Sequence, residues 1–459
     1  MLTRLTLRQM RNALKSGEVT AGELIEAHLS QIERENPRIN AFIEVYEEES
    51  RARVQRPLCG LLAGIPVTVK DSFDIAGKVT WCGSVLRRNE RAVRDSTVVE
   101  RLRGAGAVIL GKTSTPEFLY YYETDNRIVG RTNHPWDVSR TPGGSSGGEA
   151  AAIASFMSAG GVGSDGGGSI REPAHFCGIC GLKPTPGRVP AGGHWPEIAH
   201  PTGFMGVAGP MARTVEDVRI LFEVLAGYDA RDPFSAPVPF REWPSEGVRV
   251  AVMDQLPVQA GCAEALGEAV RLLGSMRHEC AQFPFELIDG AHDLWRVLFV
   301  DYITQMLHEM IGDRQDDCAW TGVELMKYTR EKVDVNRLGE VLARRDRMRA
   351  RLLQWMGSVT VIVAPAFGTT AFPHRRPGME LMDAIMPVSP WNLLGMPSLV
   401  VPVCVGDDGM PAGVQLIGAP YTEELLLDLG VRLERARGAQ WQTRRSSHMN
   451  TTSTTSTMA

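Results

Sequence analysis

The sequence has no window of roughly twenty consecutive apolar residues, the length a membrane-spanning helix needs, so no membrane partner is expected. Its first stretch, Met1 to Lys15, alternates polar and apolar residues and lacks the unbroken apolar segment of a secretory signal. The expectation is a soluble, cytoplasmic protein. Charge of one sign is lacking too: 49 Lys and Arg stand against 54 Asp and Glu, a net charge of −5. That balance supplies no attraction to nucleic acid or to an anionic lipid surface, and no nucleic-acid partner is expected. Cysteine is sparse, eight in 459 residues, which makes no disulfide scaffold. Cys177-x-x-Cys180 has no second pair with which to hold zinc, so the two are expected to be small buried residues, with no metal and no cofactor.

Glycine is abundant, at 47 residues, and two clusters organise the chain. The first is Gly143-Gly144-Ser145-Ser146-Gly147-Gly148; the second runs Gly163-Ser164-Asp165-Gly166-Gly167-Gly168-Ser169-Ile170-Arg171. Each sets a serine on a backbone almost free of side chains, where N–H groups can come close to a carbonyl oxygen that a Cβ would keep away. Acyl chemistry at a serine also needs a base. Apart from His134 and His175 no histidine lies near, but Lys70 ends the apolar run Ile65-Pro66-Val67-Thr68-Val69, which has the pattern of a buried strand. A lysine has a pKa of about 10.4 in water. Carried into an apolar interior it loses its charge readily, and a neutral amine accepts protons near pH 7.

Along the chain, Thr20-Ala21-Gly22-Glu23 is a capping box that opens a helix over about 20–34, followed by an extended segment at 37–46 and a charged, solvated stretch from Glu47 to Arg56. Val98 to Gly104 has helical spacing, and Ala107 to Leu110 is strand-like. The string Gly106-Ala-Val-Ile-Leu-Gly111-Lys112-Thr113 satisfies the phosphate-loop pattern by letter, but its helix comes first and its variable positions form the strand, the reverse of what wrapping a phosphate requires. Gly161-x-Gly163-x-x-Gly166 is a similarly isolated match to a dinucleotide fingerprint. Thr214 is the expected N-cap of a helix to Leu225, with Val248 to Met253 a strand, Ala263 to Met276 a helix, and Val359 to Pro365 a buried strand. Arg344 to Arg351, rich in arginine, is expected to be a solvated helix face rather than an RNA surface. The Ser/Thr tract at the end, 445–459, cannot bury apolar surface and is expected to be disordered.

The runs Thr141 to Ala152, Gly163 to Pro173 and Phe176-Cys177-Gly178-Ile179-Cys180-Gly181-Leu182-Lys183-Pro184-Thr185 resemble the amidase signature family of serine hydrolases. The offsets agree: Ser145 follows Lys70 by 75 positions and Ser169 follows Ser145 by 24. The resemblance extends from Gly17-Glu18-Val19-Thr20 to Val414-Gln415-Leu416-Ile417-Gly418. It implies an α/β fold, a large mixed twisted β-sheet covered on both faces by α-helices, as a single domain over 1–444. The signature core lies within about 65–215 and a more variable helical region within about 233–357.

For chemistry the resemblance implies hydrolysis of a small-molecule amide, with esters open, through an acyl-enzyme on Ser169. Ser145 relays the proton, Lys70 is the base, and the Gly144–Ser145 peptide is cis. The N–H groups of Gly166, Gly167, Gly168 and Ser169 form the implied oxyanion hole; Ser146, Asp165 and Arg171 fix the loops; Gly143, Gly144, Leu119, Tyr120 and Trp81 are implied substrate contacts. A homodimer is compatible with the sequence, which leaves the oligomeric state open. Two departures stand out. The segment before the Lys70 strand is shorter than the family's. Amidase-like subunits of glutamine-dependent aminoacyl-tRNA amidotransferases continue past the signature with a tyrosine and Gly-Arg-Val-Ser, whereas here the run is Pro184-Thr185-Pro186-Gly187-Arg188-Val189-Pro190-Ala191-Gly192-Gly193-His194-Trp195-Pro196. That difference favours a stand-alone amidase; the alternative is such an amidotransferase component.

Overall fold

A computed structural model describes residues 2–243, 248–357 and 360–438. The expected disorder of 445–459 and the first residue of the expected strand at Val359 lie outside them. The described chain forms eleven strands: β1 (Phe42–Val45), β2 (Pro66–Lys70), β3 (Val108–Thr113), β4 (Gly160–Asp165), β5 (Cys180–Lys183), β6 (Val207–Ala212), β7 (Arg249–Val252), β8 (Cys280–Gln282), β9 (Thr360–Pro365), β10 (Ser398–Val405) and β11 (Pro411–Ile417). They make one mixed sheet in the order β1-β3-β2-β4-β6-β5-β10-β11-β9-β7-β8. β2 runs parallel to both β3 and β4, β9 parallel to β7, and the strands from β4 through β6, β5, β10 and β11 to β9 pair antiparallel.

Both faces of the sheet are buried. In β9, Val361 and Val363 join one apolar cluster with Leu221, Leu272 and Leu426, while Ile362 and Ala364 join another with Trp295, Phe367 and Trp391. That alternation is the two-residue period of a strand with helices on either side. Among the described residues no helix is long and apolar enough to cross a membrane.

Local signals account for the elements around the site. The Thr20 capping box closes as expected, with Glu23 N donating to Thr20 Oγ1 and Thr20 N donating to Glu23 Oε2 at 2.8 Å. The helix it opens runs Ala21–Ile39, beyond the expected end. Residues 37–39 are thus helical, not extended: Pro37 tolerates helical φ, and Asn40, left-handed at φ 58°, ends the helix. Thr214 caps Val215–Leu225 by accepting from Asp217 N. Lys112 and Thr113 end β3, and Lys112 Nζ sits 2.7 Å from Asp71 Oδ1, both side chains fully buried, so the phosphate-loop string is a strand with its lysine already paired. The long helix Val335–Met356 turns Val341, Met348, Leu352 and Met356 inward.

Candidate active site

Parallel pairing of β2 with β4 brings Lys70, the last residue of β2, beside Ser164 and Asp165 at the matching end of β4. The first glycine cluster then folds over both. Lys70 Nζ lies 2.7 Å from Ser145 Oγ, 3.0 Å from Ser164 Oγ and 3.3 Å from the Ser164 carbonyl. The side chain is wholly buried. Burial pushes its pKa down to about 7, against weaker opposing pulls from Cys82, Asp165 and Glu149. A lysine so placed is substantially neutral at pH 7, and its lone pair can accept the Ser145 hydroxyl proton.

The backbone holding Ser145 is unusual: the Gly144–Ser145 peptide is cis. Gly144 N donates to Glu172 Oε2 at 2.8 Å, and a Cβ at residue 144 would stand 2.6 Å from the Tyr121 carbonyl oxygen. Only glycine fits there. Ser146 joins the two clusters, its N–H donating to Ser169 O at 3.2 Å and its hydroxyl to Ser164 O at 3.2 Å.

Asp165 and Arg171 anchor the second cluster. Arg171 Nε lies 3.0 Å from Asp165 Oδ2, with both side chains fully buried. Ile170 N donates to the same oxygen at 3.1 Å, and Asn392 Nδ2 to Oδ1 at 2.9 Å. Burial alone would raise the carboxyl pKa; the guanidinium charge and these hydrogen bonds outweigh it and hold Asp165 well below the usual carboxylate range. Arg171 reaches on to Val388 O and Gln415 Oε1, each at 3.1 Å, and to Asn392 Oδ1.

Ser145 and Ser169 open onto one cavity of about 140 Å³, walled by Phe118, Leu119, Ile198, Met205, Phe299 and Ile303. Among the described residues, Ser169 Oγ makes no hydrogen bond. The N–H of Gly168, one of the four expected oxyanion donors, is already engaged, donating to Asp165 Oδ1 at 2.8 Å. Leu119 and Tyr120 line the cavity; Trp81, Gly143 and Gly144 are not among its walls. Trp81 is half-buried outside it, and the two glycines shape the Ser145 turn instead.

Sequence reasoning missed several residues here. Ser164 touches Lys70 and Glu172 holds Gly144; both lie in the signature runs, which is the only local signal. Asn392 and Gln415 reach Asp165 and Arg171 from more than 200 residues downstream; Gln415 stands in the last run that carries the resemblance, but nothing local shows which partner either one takes. Cys177 and Cys180 are buried and in no disulfide, and among the described residues no group of three or more His, Cys, Asp and Glu could hold a metal.

A model of the Amidase family matches residues 23–427. The chain belongs to the amidase signature family of serine hydrolases. This amidase-signature enzyme hydrolyses amide C–N bonds through a serine-borne acyl-enzyme. It is 34% identical to the indoleacetamide hydrolase of Bradyrhizobium diazoefficiens, across 93% of this chain and 85% of that protein. To the glutamyl-tRNA(Gln) amidotransferase A subunit of Roseiflexus sp. it is also 34% identical, across 97% and 98%. Among solved structures, 6-aminohexanoate cyclic dimer hydrolase complexed with substrate superimposes with a TM-score of 0.87 at 28% identity, covering 98% of this chain and 100% of that one.

Amidotransferase A subunits recur among the amidase's relatives, in Chloroflexus, Syntrophobacter, Prochlorococcus and Streptomyces as well. They overturn the expectation that nucleic acid has no place among the partners. That expectation rested on net charge, which measures only sequence-independent attraction to phosphate.

Proposed function

We propose that Ser169 Oγ attacks the carbonyl carbon of a carboxamide while its proton passes to Ser145 Oγ, and the Ser145 proton passes to the neutral Lys70 amine. The tetrahedral oxyanion takes hydrogen bonds from the N–H groups of Gly166, Gly167 and Ser169; one comparable donor is worth about 2.7–4 kcal/mol of transition-state stabilisation. As the C–N bond breaks, the lysine proton returns through Ser145 to the leaving nitrogen. Water then repeats the sequence on the Ser169 ester and releases the acid. The observation that carries this reading is the 2.7 Å contact of Lys70 Nζ with Ser145 Oγ at a cavity that Ser169 shares.

The cavity's walls are mainly apolar, and no lysine or arginine is among the described residues lining it. That favours a free amide with an apolar acyl or amine portion over one bearing a carboxylate. A panel of aliphatic, aryl and fatty-acyl amides and esters, with Ser169→Ala as control, tests it: turnover of the apolar amides is expected, and turnover that survives in Ser169→Ala would sink the assignment.

A second reading has the better backing from the comparisons: an amidase-like component of a glutamine-dependent aminoacyl-tRNA amidotransferase, the kind of protein named for relatives at 32–34% identity over 94% or more of the chain. The two separate cleanly. Glutamine hydrolysis that appears only on adding the other components of such a complex supports the second reading; turnover of apolar amides by the isolated chain supports the first.

A further inference from the structure

Away from the catalytic cavity, the helical region encloses a second one of about 330 Å³. Arg296 lies in its wall with only 3% of its surface exposed. Its Nη2 donates to the Tyr328 carbonyl, but among the described residues Nε, itself buried, has no partner. A buried guanidinium with an unsatisfied N–H is costly unless something supplies an acceptor. The chain's own carboxylates do not. Asp289, Asp293 and Asp383 also line this cavity, but all three are exposed at its rim, where Asp293 lies 3.8 Å from the exposed Arg330 and attracts Arg296 only through space, with no hydrogen bond to it. Asp301, buried nearby, accepts from the Arg330 backbone N–H at 2.9 Å.

Positive charge at depth and negative charge at the rim fit a ligand of the opposite polarity. We propose that this cavity binds a small zwitterionic amino acid, its carboxylate on the Arg296 guanidinium and its ammonium among Asp289, Asp293 and Asp383. A carboxylate meets a guanidinium through paired charge-assisted hydrogen bonds, and Ile288, Met382 and Met386 supply an apolar wall for the carbon chain between the two ends. The cavity also touches the catalytic machinery. His292, in its wall, donates to or accepts from Ser389 Oγ at 2.9 Å and stacks on Trp295. Trp295 stacks in turn on Phe299 of the catalytic cavity, their centroids 4.7 Å apart, and its Nε1 donates to Gly166 O at 3.4 Å.

The proposal does not depend on which amide is cleaved, and it is tested by calorimetry on the Ser169→Ala protein, which turns nothing over. The probes are an α-amino acid (leucine), an ω-amino acid (6-aminohexanoate), hexanoate and hexylamine. Saturable binding of one or both amino acids is expected, with hexanoate and hexylamine at least about tenfold weaker, a difference of about 1.4 kcal/mol. The Asp293→Asn/Asp383→Asn double variant, altered only at exposed positions, is expected to weaken amino-acid binding about tenfold, and Arg296→Gln to abolish it. If Arg296→Gln does not fold, the rim variant alone decides. No saturable binding, equal binding of hexanoate, or binding unchanged in the rim variant, as occupancy of the catalytic cavity would give, overturns the proposal.

Discussion

The signature region and the helical region treat charge in opposite ways. Between β2 and β6, Lys70, Lys112, Asp71, Asp165 and Arg171 are fully buried, each held by fixed partners. In the helical region most charges stay partly in water: Arg337 pairs with Glu331 and Glu340, all partly exposed, and Arg330 reaches Asp293 across the surface. A buried charge is tolerated only where its partners are in place, so removing one partner leaves the other stranded; an exposed pair loses little, since water takes over. Sensitivity to substitution is therefore expected to concentrate in the signature region, with Arg296 as the exception that the proposed ligand explains.

The largest expected effect is on chemistry. Ser169→Ala lowers amide hydrolysis by at least about a thousandfold with an unchanged melting temperature, as steady-state rates and calorimetry would show. Next is Lys70→Ala, which slows acylation by about 10²- to 10⁴-fold in single-turnover measurements, the usual contribution of a general base. Arg171→Met is expected to cost about 3–5 kcal/mol in denaturant unfolding, because it leaves Asp165 buried and unpaired. Gly168→Ala should be milder, about 1–3 kcal/mol, since φ is +111° there and a Cβ would meet Val388 Cγ2 at 2.9 Å. At the other end, Arg337→Gln in the helical region should change stability by less than about 1 kcal/mol. A loss for Arg337→Gln as large as that for Arg171→Met would break the contrast between the regions.

How far the sequence reveals all this follows the same division. The Lys70 strand and both glycine clusters are legible because each is a local pattern: an apolar run ending in lysine, and serines set among glycines. The character of the sheet, mixed and covered on both faces, comes with the family resemblance. What stays hidden depends on contacts distant in sequence. Asn392 reaches Asp165 across 227 positions, and Arg171 reaches Gln415 across 244. The Gly168 N–H counts as an oxyanion donor in the sequence because nothing local shows that Asp165 Oδ1 takes it. Trp81 is a substrate contact by the resemblance, whereas the fold leaves it outside the cavity walls. Net charge, a whole-chain average, says nothing of the company that the relatives keep.

One measurement tests the neutral-lysine relay most directly: the rate at which a fluorophosphonate labels Ser169 as a function of pH, in the wild-type protein and in Lys70→Met. Below a pKa of about 7 the Lys70 amine is protonated and cannot accept the Ser145 proton. The labelling rate should therefore rise with pH to a plateau, with its midpoint at about 7, and become slow and without that midpoint in Lys70→Met. A wild-type rate that is flat across that range, or the same rise in Lys70→Met, would contradict the relay.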